Sequence, residues 1–165
     1  MHIEVTPLKD ALIINPTVFS DKRGFFLETH NVRDWERNGL DFTFVQDNHS
    51  HSQKNILRGL HFQLTKPQGK LVRVINGEVF DVAVDLRGSS HTFGKWYGVI
   101  LSGKNKKQFW IPPGFAHGFY VMSQTADFEY KCTNYYDKDD EGCIAWNDKS
   151  LNIKWPCKNP ILSEK

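Results

Sequence analysis

From Glu78 to Leu86 the side chains fall on two faces, with Phe80, Val82, Val84 and Leu86 on one and Val79, Asp81, Ala83 and Asp85 on the other. A period of two is the mark of a β-strand. Runs rich in Val, Ile, Phe, Tyr and Trp recur at Thr43 to Val45, Leu71 to Ile75, Trp96 to Leu101, Lys107 to Ile111, Phe115 to Met122 and Ala126 to Thr133. Such residues fit a pleated, half-buried surface. Asn76-Gly77 lies between two of these runs, which predicts a two-residue hairpin, because both turn positions favour positive φ. One short helix is predicted over Val32 to Asn38. Asn31 is its N-cap, Val32 and Trp35 share a face, and Gly39 is the stop. Many short strands with so little helix between them predict an antiparallel sandwich or barrel. No repeat or linker divides the chain, so residues 1–165 are expected to form one domain.

Composition sharpens the all-β expectation. The chain of 165 residues has 5 Ala against 11 Val, and 22 aromatic residues. Lys and Arg total 21 and Asp and Glu 19, a net charge of +2. So even a balance lacks the basic footprint of a nucleic-acid binder. No apolar run approaches the roughly 20 residues that span a bilayer. The first ten residues contain Glu4, Lys9 and Asp10 and do not form a signal peptide. Cys132, Cys143 and Cys157 form no CxxC pair. Neither a disulfide framework nor a structural zinc site is expected, and a cytoplasmic location is.

Three clusters could carry chemistry. In Arg58-Gly59-Leu60-His61-Phe62-Gln63, strict alternation would turn Arg58 and His61 to opposite faces. They can share one cavity only if Gly59 bends or bulges the strand. Pro112-Pro113-Gly114-Phe115-Ala116-His117-Gly118 places a second His at the start of an aromatic strand. Asp21-Lys22-Arg23-Gly24 holds a cation that, with Arg58 and Lys70, could bind a diphosphate or a carboxylate. Taken singly, each is an exposed Arg, a core His or a surface turn. Tyr130 adds a fourth signal, because alternation aims its phenol with Ala126, Phe128 and Cys132 into the apolar side. A phenol there needs a partner or has a task. Cupin-type barrels often carry His-x-His on one strand and Pro-x-Gly-x-x-His on another. The second element is present, but Gln63 breaks the first. Two nitrogen ligands fall short of the three usual at a catalytic metal, so no metal is expected.

Together these stretches resemble the dTDP-4-dehydrorhamnose 3,5-epimerase family, a cupin-type jelly roll. The match runs in order through Asp21-Lys22-Arg23-Gly24-Phe25-Phe26-Leu27-Glu28, Phe44-Val45-Gln46-Asp47-Asn48-His49-Ser50, Leu57-Arg58-Gly59-Leu60-His61-Phe62-Gln63, Gln68-Gly69-Lys70, Ile111-Pro112-Pro113-Gly114-Phe115-Ala116-His117-Gly118, Tyr130-Lys131 and Trp146-Asn147-Asp148. The resemblance implies an all-β jelly-roll barrel with short peripheral helices. It implies His61 as general base, Tyr130 as general acid and Lys70 beside the reacting sugar. It implies substrate contacts from Arg23, Glu28, Gln46, Asp47, Asn48, Arg58, His117, Glu141 and Lys165, and a stacking role for Tyr136. It further implies a dTDP-4-keto-6-deoxyhexose substrate, no cofactor, and a homodimer in which the stretch around Arg23 and Glu28 serves the neighbouring site. In that family an Asp after the final Leu-Ser-x-Lys element bonds the basic His. Here the sequence stops at Leu162-Ser163-Glu164-Lys165. Either that Asp lies beyond the sequence, or another acid such as Asp81 orients His61, or the protein is a weakened relative. Single-centre epimerisation at C3 or C5, a non-catalytic nucleotide-sugar-binding cupin and a metal-dependent cupin oxygenase are the competing functions.

Overall fold

The computed structural model describes residues 1–163. It is 47% strand and 6% helix, as the Val-rich, Ala-poor composition requires. Thirteen strands are present among these residues. They are β1 (His2–Val5), β2 (Leu12–Asn15), β3 (Val18–Asp21), β4 (Gly24–Leu27), β5 (Gln46–Gln53), β6 (Leu57–Gln63), β7 (Lys70–Asn76), β8 (Glu78–Asp85), β9 (Trp96–Ser102), β10 (Gln108–Ile111), β11 (Phe115–Val121), β12 (Thr125–Cys132) and β13 (Glu141–Cys143). One sheet has the order β1-β2-β10-β7-β12-β5, the other β13-β6-β11-β8-β9, and β3 and β4 form a separate hairpin. From β5 onward successive strands alternate between the two large sheets, apart from the β8–β9 hairpin. That crossing pattern is the jelly roll.

The one α-helix among the described residues, α1 (Val32–Arg37), has Asn31 as N-cap, its side chain accepting from the Arg33 amide, and Gly39 just past its end has a positive φ. Trp35 is buried, but Val32 is 55% exposed and does not share its face of contact. A 3-10 turn at Lys138–Asp140 is the other peripheral helix. No helix among the described residues is long and apolar enough to cross a membrane.

Two expectations fail here. Thr43 to Val45 is not a strand; the strand begins at Gln46, and Phe42 and Phe44 instead pack on Trp110 under α1. Asn76-Gly77 does not close a hairpin either. It joins β7 to β8, which lie in opposite sheets. Gly77 has φ +83° because the chain must turn a corner against β12, and a Cβ there would run into the Thr125 carbonyl oxygen. The corner is held by the Gly103 amide donating to Gly77 O at 3.0 Å and the Glu78 amide donating to Ser123 Oγ at 2.7 Å. Gly77→Ala is therefore expected to destabilise by about 1–3 kcal/mol through the left-handed φ alone, with more from the clash. A urea midpoint that does not fall, at unchanged slope, would contradict this account of the corner.

The main core lies between the sheets, with Val72, Val74, Phe109 and Phe128 facing Val79, Ala83, Leu101 and Phe119. The outer faces are covered too. Trp35 and Leu40 lie over Leu71 and Trp110, while Ile144, Leu151, Ile153 and Trp155 lie over Val82, Val84 and Ala116. β8 is thus apolar on both sides, and Asp81 and Asp85 are buried within it. This double covering leaves the open end of the sandwich as the place where polar side chains can gather.

Candidate active site

A cavity of about 580 Å³ opens at that end. Its walls come from both sheets. Strand β6 supplies Arg58 and His61, β11 supplies His117, β7 supplies Lys70, β12 supplies Tyr130 and β5 supplies Asn48. Glu141 of β13 and Tyr136 of the preceding loop close the rim.

The bend expected at Gly59 is present. In the β6–β11 ladder His61 pairs with His117 and Arg58 with Phe119, so three steps on β6 answer two on β11. Gly59 has φ +113°, and Gly59 and Gly118 meet backbone to backbone where a Cβ on either would collide with the other strand. The extra residue breaks the alternation and lets Arg58 and His61 face one cavity. Arg58 is steadied by donating from Nε to Ser52 Oγ at 3.0 Å.

His61 and Tyr130 belong to different sheets and both line the cavity. Burial pushes the Tyr130 phenol up, so it keeps its proton through neutral pH. Burial likewise pushes the Lys70 ammonium down, opposed by Cys132, Asp81 and Glu141. Lys70 Nζ stands 5.9 Å from the centre of the Tyr130 ring. Phe119 and Phe128, stacked at 4.2 Å, form an apolar floor.

Asp81 does not orient His61. Its Oδ2 instead lies 2.9 Å from His117 Nε2, deep in the five-stranded sheet. The physical reason is register, since Asp81 sits opposite Phe119 on β11 and reaches diagonally to His117 on the same inward face. The carboxylate beside His61 is Glu141, with Oε1 3.8 Å from Nδ1.

Of the other expected contacts, Asn48 and Tyr136 line the cavity, and Tyr136 is held by its backbone. Its amide donates to Gln46 Oε1 at 2.9 Å, and the next amide, of Asp137, donates to Gln63 Oε1 at 2.9 Å. Gln63 Nε2 also donates to Lys66 O and Tyr135 O. The residue that broke the His-x-His pattern is thus a clamp for the loop that carries Tyr136. Among the described residues no three His, Cys, Asp or Glu side chains are grouped as metal ligands. Asp47 faces outward and pairs with Lys131 at 2.9 Å, and it shares a second groove with Gln46 beneath α1. Arg23 and Glu28 do not line this chain's cavity. Arg23 sits on the exposed β3–β4 hairpin paired with Asp21, and Glu28 follows that hairpin, accepting from Asn31. Lys165 lies outside the described residues. Ser50, Gln68, Ile161 and Leu162 also line the cavity. Ser50 and Gln68 carried no separate sequence signal, and Ile161 is brought in by a bridge to Ile56 that no local pattern announces.

A family model described as dTDP-4-dehydrorhamnose 3,5-epimerase matches residues 5–165. A dTDP-4-dehydrorhamnose 3,5-epimerase of Shigella flexneri is 58% identical over 100% of this chain and 92% of its own length. A Legionella pneumophila epimerase, solved in complex with dTDP-4-keto-L-rhamnose, is 54% identical with a TM-score of 0.96, covering 99% of this chain and 88% of that one. A 3'-monoepimerase from Streptomyces bikiniensis, in complex with dTDP-quinovose, is more distant at 29% identity and a TM-score of 0.90, covering 96% and 82%.

Proposed function

The chain belongs to the dTDP-4-dehydrorhamnose 3,5-epimerase family, and from that premise we propose how its cavity works. The reaction is the 3,5-epimerisation of dTDP-4-dehydro-6-deoxy-D-glucose to dTDP-4-dehydro-L-rhamnose, a step of dTDP-rhamnose biosynthesis. The hydrogens on C3 and C5 are both α to the C4 ketone. In a gluco-configured ring both are axial on one face, so a base on one side can reach either and an acid must stand on the other.

The observation that carries the assignment is that His61 and Tyr130 enter one cavity from opposite sheets. The His61 imidazole takes the proton from C3 or C5, and the electrons move onto O4 as an enolate. The Lys70 ammonium, a lining residue of the same cavity, stabilises the charge where it develops, usually the largest single contribution in such reactions. The Tyr130 phenol returns a proton to the opposite face, and the centre inverts. Arg58 and Asn48 contact the nucleotide sugar, His117 and Glu141 line the sugar end, and Tyr136 stacks on the base. The scheme uses side chains alone and calls on no cofactor or metal.

Phe19, Phe25 and Phe26 of the β3–β4 hairpin are each more than half exposed around Arg23. Such an apolar arm supports a homodimer in which Arg23 and Glu28 complete the neighbouring subunit's site. Gln46 and Asp47, with Lys165, belong to the same nucleotide-holding set. With Cys132, Cys143 and Cys157 all free thiols, we place the enzyme in the cytoplasm as one jelly-roll unit over 1–165. The test is solvent deuterium incorporation into the 4-keto sugar, followed by NMR. Exchange at both C3 and C5 is expected. Exchange at one position would make it a single-centre epimerase, and none would make it a binder.

A further inference from the structure

Asp81 is completely buried, and its Oδ1 has no hydrogen-bond partner. Burying a carboxylate in a sheet interior costs several kcal/mol unless it is paired and hydrogen-bonded. Its partner is His117. The imidazole turns Nε2 to Asp81 Oδ2 at 2.9 Å and lies along the cavity wall, 7% exposed, parallel to the Phe128 ring. With Nε2 taken, Nδ1 is the polar ring atom left for whatever fills the cavity. His117 also pairs directly with His61 across the β6–β11 ladder, so the two imidazoles stand side by side on the proposed base side of the sugar.

We propose that Asp81 is a positioning residue that locks His117 as the Nε2–H tautomer, so that Nδ1 offers a lone pair to a sugar hydroxyl beside the carbon that loses its proton. The proposal rests on the sugar-epimerase reading of the cavity and deepens it. A carboxylate can only accept here, so the proton must sit on Nε2. An amide at position 81 could accept or donate and would leave the tautomer open. The neutral His117 would then present an N–H to the same hydroxyl part of the time, turning one acceptor into a competing donor. The nucleotide is held by other residues and would not register the change.

The first test needs no mutant and no substrate. In ¹⁵N-histidine spectra of the ligand-free protein, neutral His117 is expected to show a protonated Nε2 and an unprotonated Nδ1, and the reverse tautomer would overturn the proposal. The second test is a double-mutant cycle. Asp81→Asn is expected to lower kcat/KM for the 4-keto sugar by about tenfold to a hundredfold, the usual cost of losing a group that orients a site imidazole. The affinity for dTDP alone, read by calorimetry, should stay within about twofold. In a His117→Gln background Asp81→Asn should add less than about twofold, because the route through the imidazole is already gone. Multiplying losses, or equal losses in dTDP affinity, would make Asp81 a structural residue only. If the wild-type protein turned over no 4-keto sugar, the family reading would fall, while the tautomer would still decide for or against Asp81.

Discussion

His61→Ala is expected to lower turnover of the 4-keto sugar by roughly a hundredfold to ten-thousandfold, the range for losing a general base. Binding of dTDP is expected to survive. The two effects separate because they depend on different side chains of the cavity. His61 stands on β6 beyond the Gly59 bulge and lines the cavity that Tyr130 enters from the other sheet. The cation Arg58 is anchored independently on Ser52. Truncation to Ala removes the imidazole without disturbing the bulge, which depends on Gly59 and Gly118 rather than on the side chain at 61. Calorimetry with dTDP and an NMR assay of product measure the two quantities separately. Turnover near the wild-type rate would remove His61 from the base role.

Much of this site could be read from the chain before any coordinates. Gly59 between Arg58 and His61 announces its own bulge, because only a break in alternation lets both residues share a cavity, and the positive φ and the slipped ladder bear that out. The phenol of Tyr130 follows from simple alternation with Ala126, Phe128 and Cys132, all three of which are buried. What stayed hidden depends on which strands become neighbours. Strand β5 reads Gln46-Asp47-Asn48-His49-Ser50-His51-Ser52-Gln53, with no apolar face at all. On its inward face Asn48 and Ser50 line the cavity and Ser52 bonds Arg58, while its outward residues meet solvent, so burial leaves no hydrophobic trace. Asn76-Gly77 announces a turn but not its destination. Positive φ is a local demand, whereas the sheet that receives the next strand is set by packing across the sandwich. Asp81 belongs to the same class. Its type marks it as an unusual core residue, but whether it serves His61 or His117 depends on the β8–β11 register.

Tyr130→Phe is expected to leave the protein folded, with hydrogen exchange partly intact and inversion lost. The ring packs against Phe128 at 6.0 Å and beneath Lys70, and Phe keeps those contacts. The hydroxyl reaches a cavity rather than a closed core, so its removal leaves no buried partner stranded and costs little stability. Proton removal requires the His61 imidazole and the enolate-stabilising Lys70, and both remain. What disappears is the donor on the far face. An enolate formed in the variant is reprotonated from the side it came from, by the imidazolium it has just created, and the sugar returns to its starting configuration. In deuterium oxide the substrate should therefore gain label at C3 or C5 without conversion, while product formation falls by roughly the hundredfold to ten-thousandfold of a lost general acid. Conversion at the wild-type rate would pass the acid role to another group, with Tyr136 on the same rim the first to replace. Loss of label together with loss of inversion would mean that the phenol is needed before the first proton leaves, as an orienting group for the sugar.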